Sequence, residues 1–246
     1  MAAQRPSPDP YYQFSAHEVA ARDRTYTFFT RPALGQWQES LTSALLLAEW
    51  LALAPEARVL HLHCGAGLAG AVAAHLAPAG QVTLLDSHSV ALECARRTVA
   101  ANKIANTCLM QSDCAQVVQG QCFDVVLALL PKGRAAWEQT IWDAAHVLRA
   151  GGALYLAGAN RAGIKSAAKY VQRVFGHVDV LGYRGGCRVV RAVKGEQSPS
   201  PPEAAPGDDY YRWRTVTTQV NNGSITCATK PGLFSWKRLD EGSRLL

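Results

Sequence analysis

From residue 58 the chain alternates short apolar runs with alanine-rich or amphipathic stretches. Val59, Leu60 and Leu62 predict a strand over 58–63, and the alanine-rich run after it a helix over 68–76. A second strand and helix follow over 81–85 and 89–102, the helix opened by Ser87 or Ser89 as cap. A short strand over 106–111 precedes Ser112-Asp113. The run over 123–130 is almost wholly apolar, the mark of a central parallel strand covered on both faces. A helix over 134–148, a strand over 153–157 and a helix over 161–175 continue the alternation. The last two strands, 178–183 and 187–193, are joined by Gly185-Gly186, which predicts an antiparallel hairpin. Ahead of this series, Leu41, Ala44, Leu45, Ala48 and Leu51 recur at helical spacing over 39–53, before Pro55. The whole reads as an α/β doubly wound sheet.

The chemistry gathers around the first strand. Cys64-Gly65-Ala66-Gly67-Leu68-Ala69-Gly70 lies between that strand and its helix, and Asp86 ends the second strand sixteen residues after the last glycine. Glycines at such a turn allow close backbone approach, and a helix N-terminus offers free N–H groups. An acid at the end of the next strand can accept hydrogen bonds from ribose hydroxyls. This is a nucleotide half-site. Ser112-Asp113-Cys114, after the third strand, stands where a side chain could meet an adenine amino group. The glycine spacing also suits a nicotinamide dinucleotide, hence an oxidoreductase, although no Tyr-x-x-x-Lys or His-Asp constellation for hydride transfer is present.

Composition narrows the picture only a little. A net charge of +6 and a pI near 9.0 favour an anionic partner. Seven scattered cysteines without a Cys-x-x-Cys pair give no zinc spacing and fit free thiols in a reducing compartment. His61 and His63 flank a strand beside Cys64, but no partner ligands stand at metal spacing. Residues 1–8 lack the apolar core of a secretion signal, and no apolar stretch reaches membrane length, so a cytoplasmic protein is expected. Four regions are expected: a loose polar arm over 1–25, the α/β domain over 26–194, a Pro/Gly/Ser linker over 195–209, and two strands and a tail over 210–246.

The tail carries a second signal. At an offset of 199, residues 26–47 and 225–246 share Thr27/Thr226, Thr30/Thr229, Pro32/Pro231, Leu34/Leu233, Trp37/Trp236, Leu46/Leu245 and Leu47/Leu246. Either the chain begins a second copy of its own domain, or a C-terminal hairpin and tail pack on a single one.

Val59-Leu60-x-Leu-x-Cys64-Gly65-Ala66-Gly67, Asp86 and the closing antiparallel pair together resemble a class I S-adenosylmethionine-dependent methyltransferase. Leu130-Pro131-Lys132-Gly133-Arg134, the segment 154–166 and Lys230-Pro231-Gly232-Leu233-Phe234-Ser235-Trp236 resemble bacterial small-subunit ribosomal RNA guanine N2-methyltransferases built from two fused methyltransferase-like domains. The resemblance, over about residues 25–246, implies a Rossmann-like seven-stranded sheet with a C-terminal antiparallel hairpin, S-adenosylmethionine as cofactor and ribosomal RNA or the small ribosomal subunit as partner. It favours the internal repeat and implies a catalytic domain beyond this one. Cys64, Gly65, Ala66, Gly67, Asp86, Ser87, Asp113 and Cys114 are then expected to bind the cofactor, Gly65 and Gly67 approaching the methionine moiety, Asp86 holding the ribose and Asp113 reading the adenine.

In that family the fourth strand of the catalytic copy ends in Asn-Pro-Pro-Phe or similar, which orients the poorly nucleophilic guanine amine toward the sulfonium methyl. Here Leu129-Leu130-Pro131-Lys132 stands in its place, without the amide acceptor or the aromatic platform. The resemblance implies a ribosomal RNA methyltransferase of the guanine N2 class, and the substitution leaves three readings for this domain: a non-catalytic half of that enzyme, a catalytically silent RNA-binding module, or different acceptor chemistry. Arg161, Lys165, Lys169 and Arg173 recur every four residues, a stripe suited to RNA phosphates or to plain solvation. Trp137 and Trp142 read as packing residues, and Asp124 as a structural hydrogen-bonding group.

Overall fold

The structure, a computed structural model, describes residues 9–34, 37–196, 210, 212–220, 223–233 and 235–244. Its centre is a seven-stranded sheet. In chain order the elements are a hairpin β1 (Ser15–Ala21) and β2 (Arg24–Thr30), α1 (Trp37–Trp50), β3 (Arg58–Leu62), α2 (Leu68–Leu76), β4 (Gln81–Asp86), α3 (Ser89–Ala101) and β5 (Thr107–Gln111). There follow β6 (Phe123–Leu129), α4 (Arg134–Val147), β7 (Leu148–Ala159), α5 (Ile164–Phe175), β8 (Asp179–Arg184), β9 (Cys187–Val193), β10 (Arg214–Val220) and β11 (Gly223–Thr229).

The strand order is β5-β4-β3-β6-β7-β9-β8, parallel from β5 to β7 and antiparallel at β9 and β8. Winding reverses between β3 and β6, so the crevice at their carboxyl ends is where a ligand site belongs. The β8–β9 turn uses Gly185 (φ +52°) and Gly186 (φ +75°), the paired positive φ that a two-residue hairpin of matching twist requires.

Two apolar layers clamp the sheet. Leu46, Leu47, Val59, Val72 and Leu84 pack on the α1–α2 side, and Leu60, Val126, Ile141, Leu154 and Val171 on the α4–α5 side. Asp124 ties two strand starts together: its Oδ2 accepts the Arg58 N–H at 2.7 Å and its Oδ1 meets the Arg149 guanidinium. Partial burial pushes its pKa up, but those partners win and hold it below the usual carboxylate range. Trp137 is buried, edge-on to Tyr170 at 5.9 Å.

Two expectations are corrected here. The polar arm does not extend to residue 25, because residues 15–21 form β1. Its side chains alternate weakly, so only the hydrogen bonding to β2, which itself sits on α3, makes it a strand. Phe29 N–H donates to Thr98 Oγ1 at 3.2 Å, and Asn102 bonds both the N–H and the C=O of Thr27. Strand β7 also begins earlier than 153, since Gly151 and Gly152 exchange backbone hydrogen bonds with Lys194.

The strands over 214–220 and 223–229 answer the repeat. Their bounds are those of β1 and β2 moved by 199, and Ser15↔Thr30 to Ala21↔Arg24 map onto Arg214↔Thr229 to Val220↔Gly223 pair for pair. From residue 197 onward the expected linker lies outside the described residues, as do the repeat positions 245 and 246.

Candidate cofactor site

Strand β3 ends in a twist. His63 adopts φ +52°, rare for a residue with a Cβ, and this swings Cys64 back so that its N–H meets Leu85 C=O at 3.0 Å. The following loop is drawn onto Asp86, whose Oδ2 accepts Gly65 N–H and whose Oδ1 accepts His88 N–H, both at 2.9 Å. One carboxylate thus fixes the loops after β3 and β4 and keeps lone pairs for a ligand. Burial pushes the Cys64 thiol pKa well up, with the Asp86 charge adding to it, so Cys64 stands as a neutral wall.

Histidines line this corner. His63 Nε2 lies 2.9 Å from Thr140 Oγ1. Burial lowers its pKa, against the pull of Asp86, Asp143 and Asp113. His61, wholly buried beneath α2 with no hydrogen-bond partner for either ring nitrogen, is pushed down to about 3 by burial and then by His63. It is a neutral core residue. Among the described residues no group of three His, Cys, Asp or Glu side chains is placed to hold a metal ion.

A cavity of about 600 Å³ opens in front of the loop, within the usual range for small-molecule sites. Cys64, Gly65, Ala66 and Asp86 line it, as do Leu129, Leu130, Pro131, Lys132 and Arg161. The tip of β6 therefore faces the cavity with aliphatic side chains and one ammonium, and among the described residues no amide side chain lines the cavity wall.

Other expected residues lie elsewhere. Gly67 (φ +79°) caps α2, and a Cβ there would come within 2.8 Å of Ala95 Cβ; its glycine serves the close packing of α2 on α3 rather than ligand approach. Gly70 is likewise hemmed in by Leu84 and His61. Ser87 is exposed, its carbonyl accepting from Gln111 Nε2 at 3.1 Å, and is not part of the cavity wall. Asp113 is ion-paired with Lys230, and Cys114 is buried beside it with a thiol pKa pushed up to about 11, chiefly by burial. Neither lines the cavity.

The basic stripe divides in the same way. Arg161 precedes α5, in a 3-10 turn, and pairs with Glu39 of α1 at the cavity wall. Lys165, Lys169 and Arg173 stand exposed on α5, opposite its buried Ile164, Ala167, Val171 and Val174.

Sequence reading missed Phe28, Thr30 and Glu39, which close the cavity from β2 and α1. The available signal was the repeated segment itself, which includes Thr30 and reaches Glu39.

Residues 25–191, well over half of the chain, match the family model for the methyltransferase small domain. The chain belongs to that family. Among curated members, ribosomal RNA small subunit methyltransferase C of Shewanella pealeana is 32% identical over 131 residues, covering 53% of this chain and 37% of its own length. The Stutzerimonas stutzeri protein of the same name is 32% identical over 169 residues, covering 63% of this chain and 47% of its own. The chain thus spans less than half the length of these relatives. Among solved structures, the 16S rRNA N2 G1207 methyltransferase of T. Thermophilus, in complex with AdoMet and guanosine, superposes with a TM-score of 0.72 at 23% identity, over 96% of this chain and 57% of that one. Family membership displaces the nicotinamide reading, and packing at Gly67 and Gly70 accounts for the glycine spacing that had suggested it.

Proposed function

We propose that this chain is the binding module of an S-adenosylmethionine-dependent ribosomal RNA methyltransferase: its cavity takes the methionine and ribose end of the cofactor, and its own β6 tip does not transfer a methyl group to guanine N2. The observation that carries this reading is the joint lining of one cavity by Asp86, the Gly65 loop and Leu129-Leu130-Pro131-Lys132. Asp86 retains acceptor capacity for ribose hydroxyls, and Gly65 leaves the backbone open toward the cavity, its nearest neighbour for a Cβ being Leu129 at 3.6 Å. When bound, the cofactor supplies an electrophilic methyl on its sulfonium. Leu129 has no group to accept a hydrogen from an exocyclic amine, and Lys132 offers no aromatic face on which a base could stack. Losing an oriented polar group of this kind costs on the order of 100-fold or more in rate.

Lys165, Lys169 and Arg173 on the outer face of α5 support contact with RNA phosphates. The matching hairpins at an offset of 199 support a second methyltransferase fold beginning at residue 210 as the catalytic partner.

Calorimetric titration with S-adenosylmethionine, its demethylated product and NAD tests the reading. Binding of the first two, lost in Asp86→Asn and absent for NAD, is expected. No methyl transfer to small-subunit RNA is expected from this chain, and Leu129→Asn with Lys132→Phe is the variant that would restore it if the β6 tip alone is at fault. Binding of NAD in preference to S-adenosylmethionine would overturn the cofactor assignment.

A further inference from the structure

The loop after β5, where the adenine is expected, lies outside the cavity and is covered. Ser112 N–H donates to Asp86 C=O at 3.0 Å, so the loop 112–114 sits beside the acid expected to hold the ribose. Two residues of the second repeat lie on that loop. Lys230 pairs with Asp113, with only 15% of the lysine side chain exposed. Tyr210 is 4% exposed, and burial and then the nearby Asp113, Cys114 and Asp143 push its phenol pKa up. Tyr210 also packs on Gly232 (φ +97°), where a Cβ would come within 2.9 Å of the phenol oxygen. Pro231 is buried beside them.

The repeat explains why these residues form a unit. Tyr210 and Lys230 are Tyr11 and Arg31 moved by 199. In the first copy Arg31 donates to Tyr11 C=O and lies 5.4 Å from the Phe14 ring; in the second Lys230 lies 5.6 Å from the ring of Trp213, the residue equivalent to Phe14. The first unit leaves Tyr11 half exposed, whereas the second is seated on Asp113.

We propose that Tyr210 and Lys230 form an intramolecular strap across the adenine subsite, so that the strap and an adenosine moiety at Asp113 exclude each other. This rests on the cofactor reading above and adds to it that cofactor affinity is set by where the second repeat docks. An adenosine ligand must break the Lys230–Asp113 pair and lift Tyr210, and a partner that draws the second repeat away would open the site.

The test uses the full chain with Lys230→Glu, Tyr210→Ala and, as control, the exposed Lys237→Glu. Two quantities are read: the rate at which Cys114 is alkylated, by mass spectrometry, and the Kd for S-adenosylmethionine. Lys230→Glu and Tyr210→Ala are each expected to raise Cys114 alkylation and tighten the Kd at least about tenfold, the control neither. Unchanged alkylation and Kd, with binding still lost in Asp86→Asn, would overturn the strap and leave the cofactor reading standing. Faster alkylation without tighter binding would overturn the exclusion. An absence of binding in every variant, the released ones included, would overturn both.

Discussion

The first and last hairpins have the same backbone and opposite surroundings. β1–β2 and β10–β11 pair residue for residue at an offset of 199, yet Tyr26 and Phe28 are 2% and 3% exposed, while Ile225 is 48% exposed and Cys227 is on the surface. Register is therefore set locally, by strand length and turn. Burial is set by what lies alongside, and among the described residues only the first hairpin lies on a helix, α3. A hairpin alone is marginal in water, so the second is the weaker element and the one available for other contacts.

The difference can be broken most severely at the aromatic layer. Phe28→Ala is expected to cost about 3–5 kcal/mol, read as a lowered urea midpoint, whereas Cys227→Ala at the equivalent position should stay within about 0.5 kcal/mol. Acid separates the two next. His61 under the first domain is held neutral, with its pKa pushed from 6.5 to about 3, so the unfolded chain binds more protons between those values. Its contribution is complete above pH 6.5 and is lost as pH falls, about 2 kcal/mol of it by pH 5 at 1.36 kcal/mol per pH unit. His61→Leu should flatten the pH dependence of the unfolding midpoint. A smaller effect is expected from Asn102→Ala, which removes two bonds to Thr27 and should cost about 1–2 kcal/mol. Amide exchange should accelerate at Thr27 and stay unchanged across 214–229. Least of all, Thr226→Val breaks the exposed 2.9 Å contact between Thr217 and Thr226 hydroxyls and should shift stability by less than about 0.5 kcal/mol.

The sheet was legible because each element carried its own signal: the apolar run of β6, the Gly185-Gly186 turn, the amphipathic α5. Asp86 was legible because its position follows from the spacing between a loop and the next strand. The cavity wall was not, because Phe28 and Glu39 come from elements distant in sequence that only the fold brings to the loop. The pairing of Asp113 was hidden for a related reason. Asp113 stands after the third strand, but its partner Lys230 stands far along the chain, and no local pattern announces that pair. Arg161 continued a helical period that the helix itself does not, since Gly163 at φ +100° starts α5 two residues later.

One consequence of the duplicated hairpin concerns the path to the native state. The two bonds between Asn102 and β2 go to the main chain of Thr27, and a main chain in the same register would satisfy them equally at Thr226. The groove on α3 thus has two claimants while the chain is still collapsing, the sort of wrong docking to which tandem copies are prone. Only side chains tell them apart: Tyr26, whose hydroxyl lies 3.0 Å from His75 Nδ1, and Phe28 favour the first, where the second presents Ile225 and Cys227.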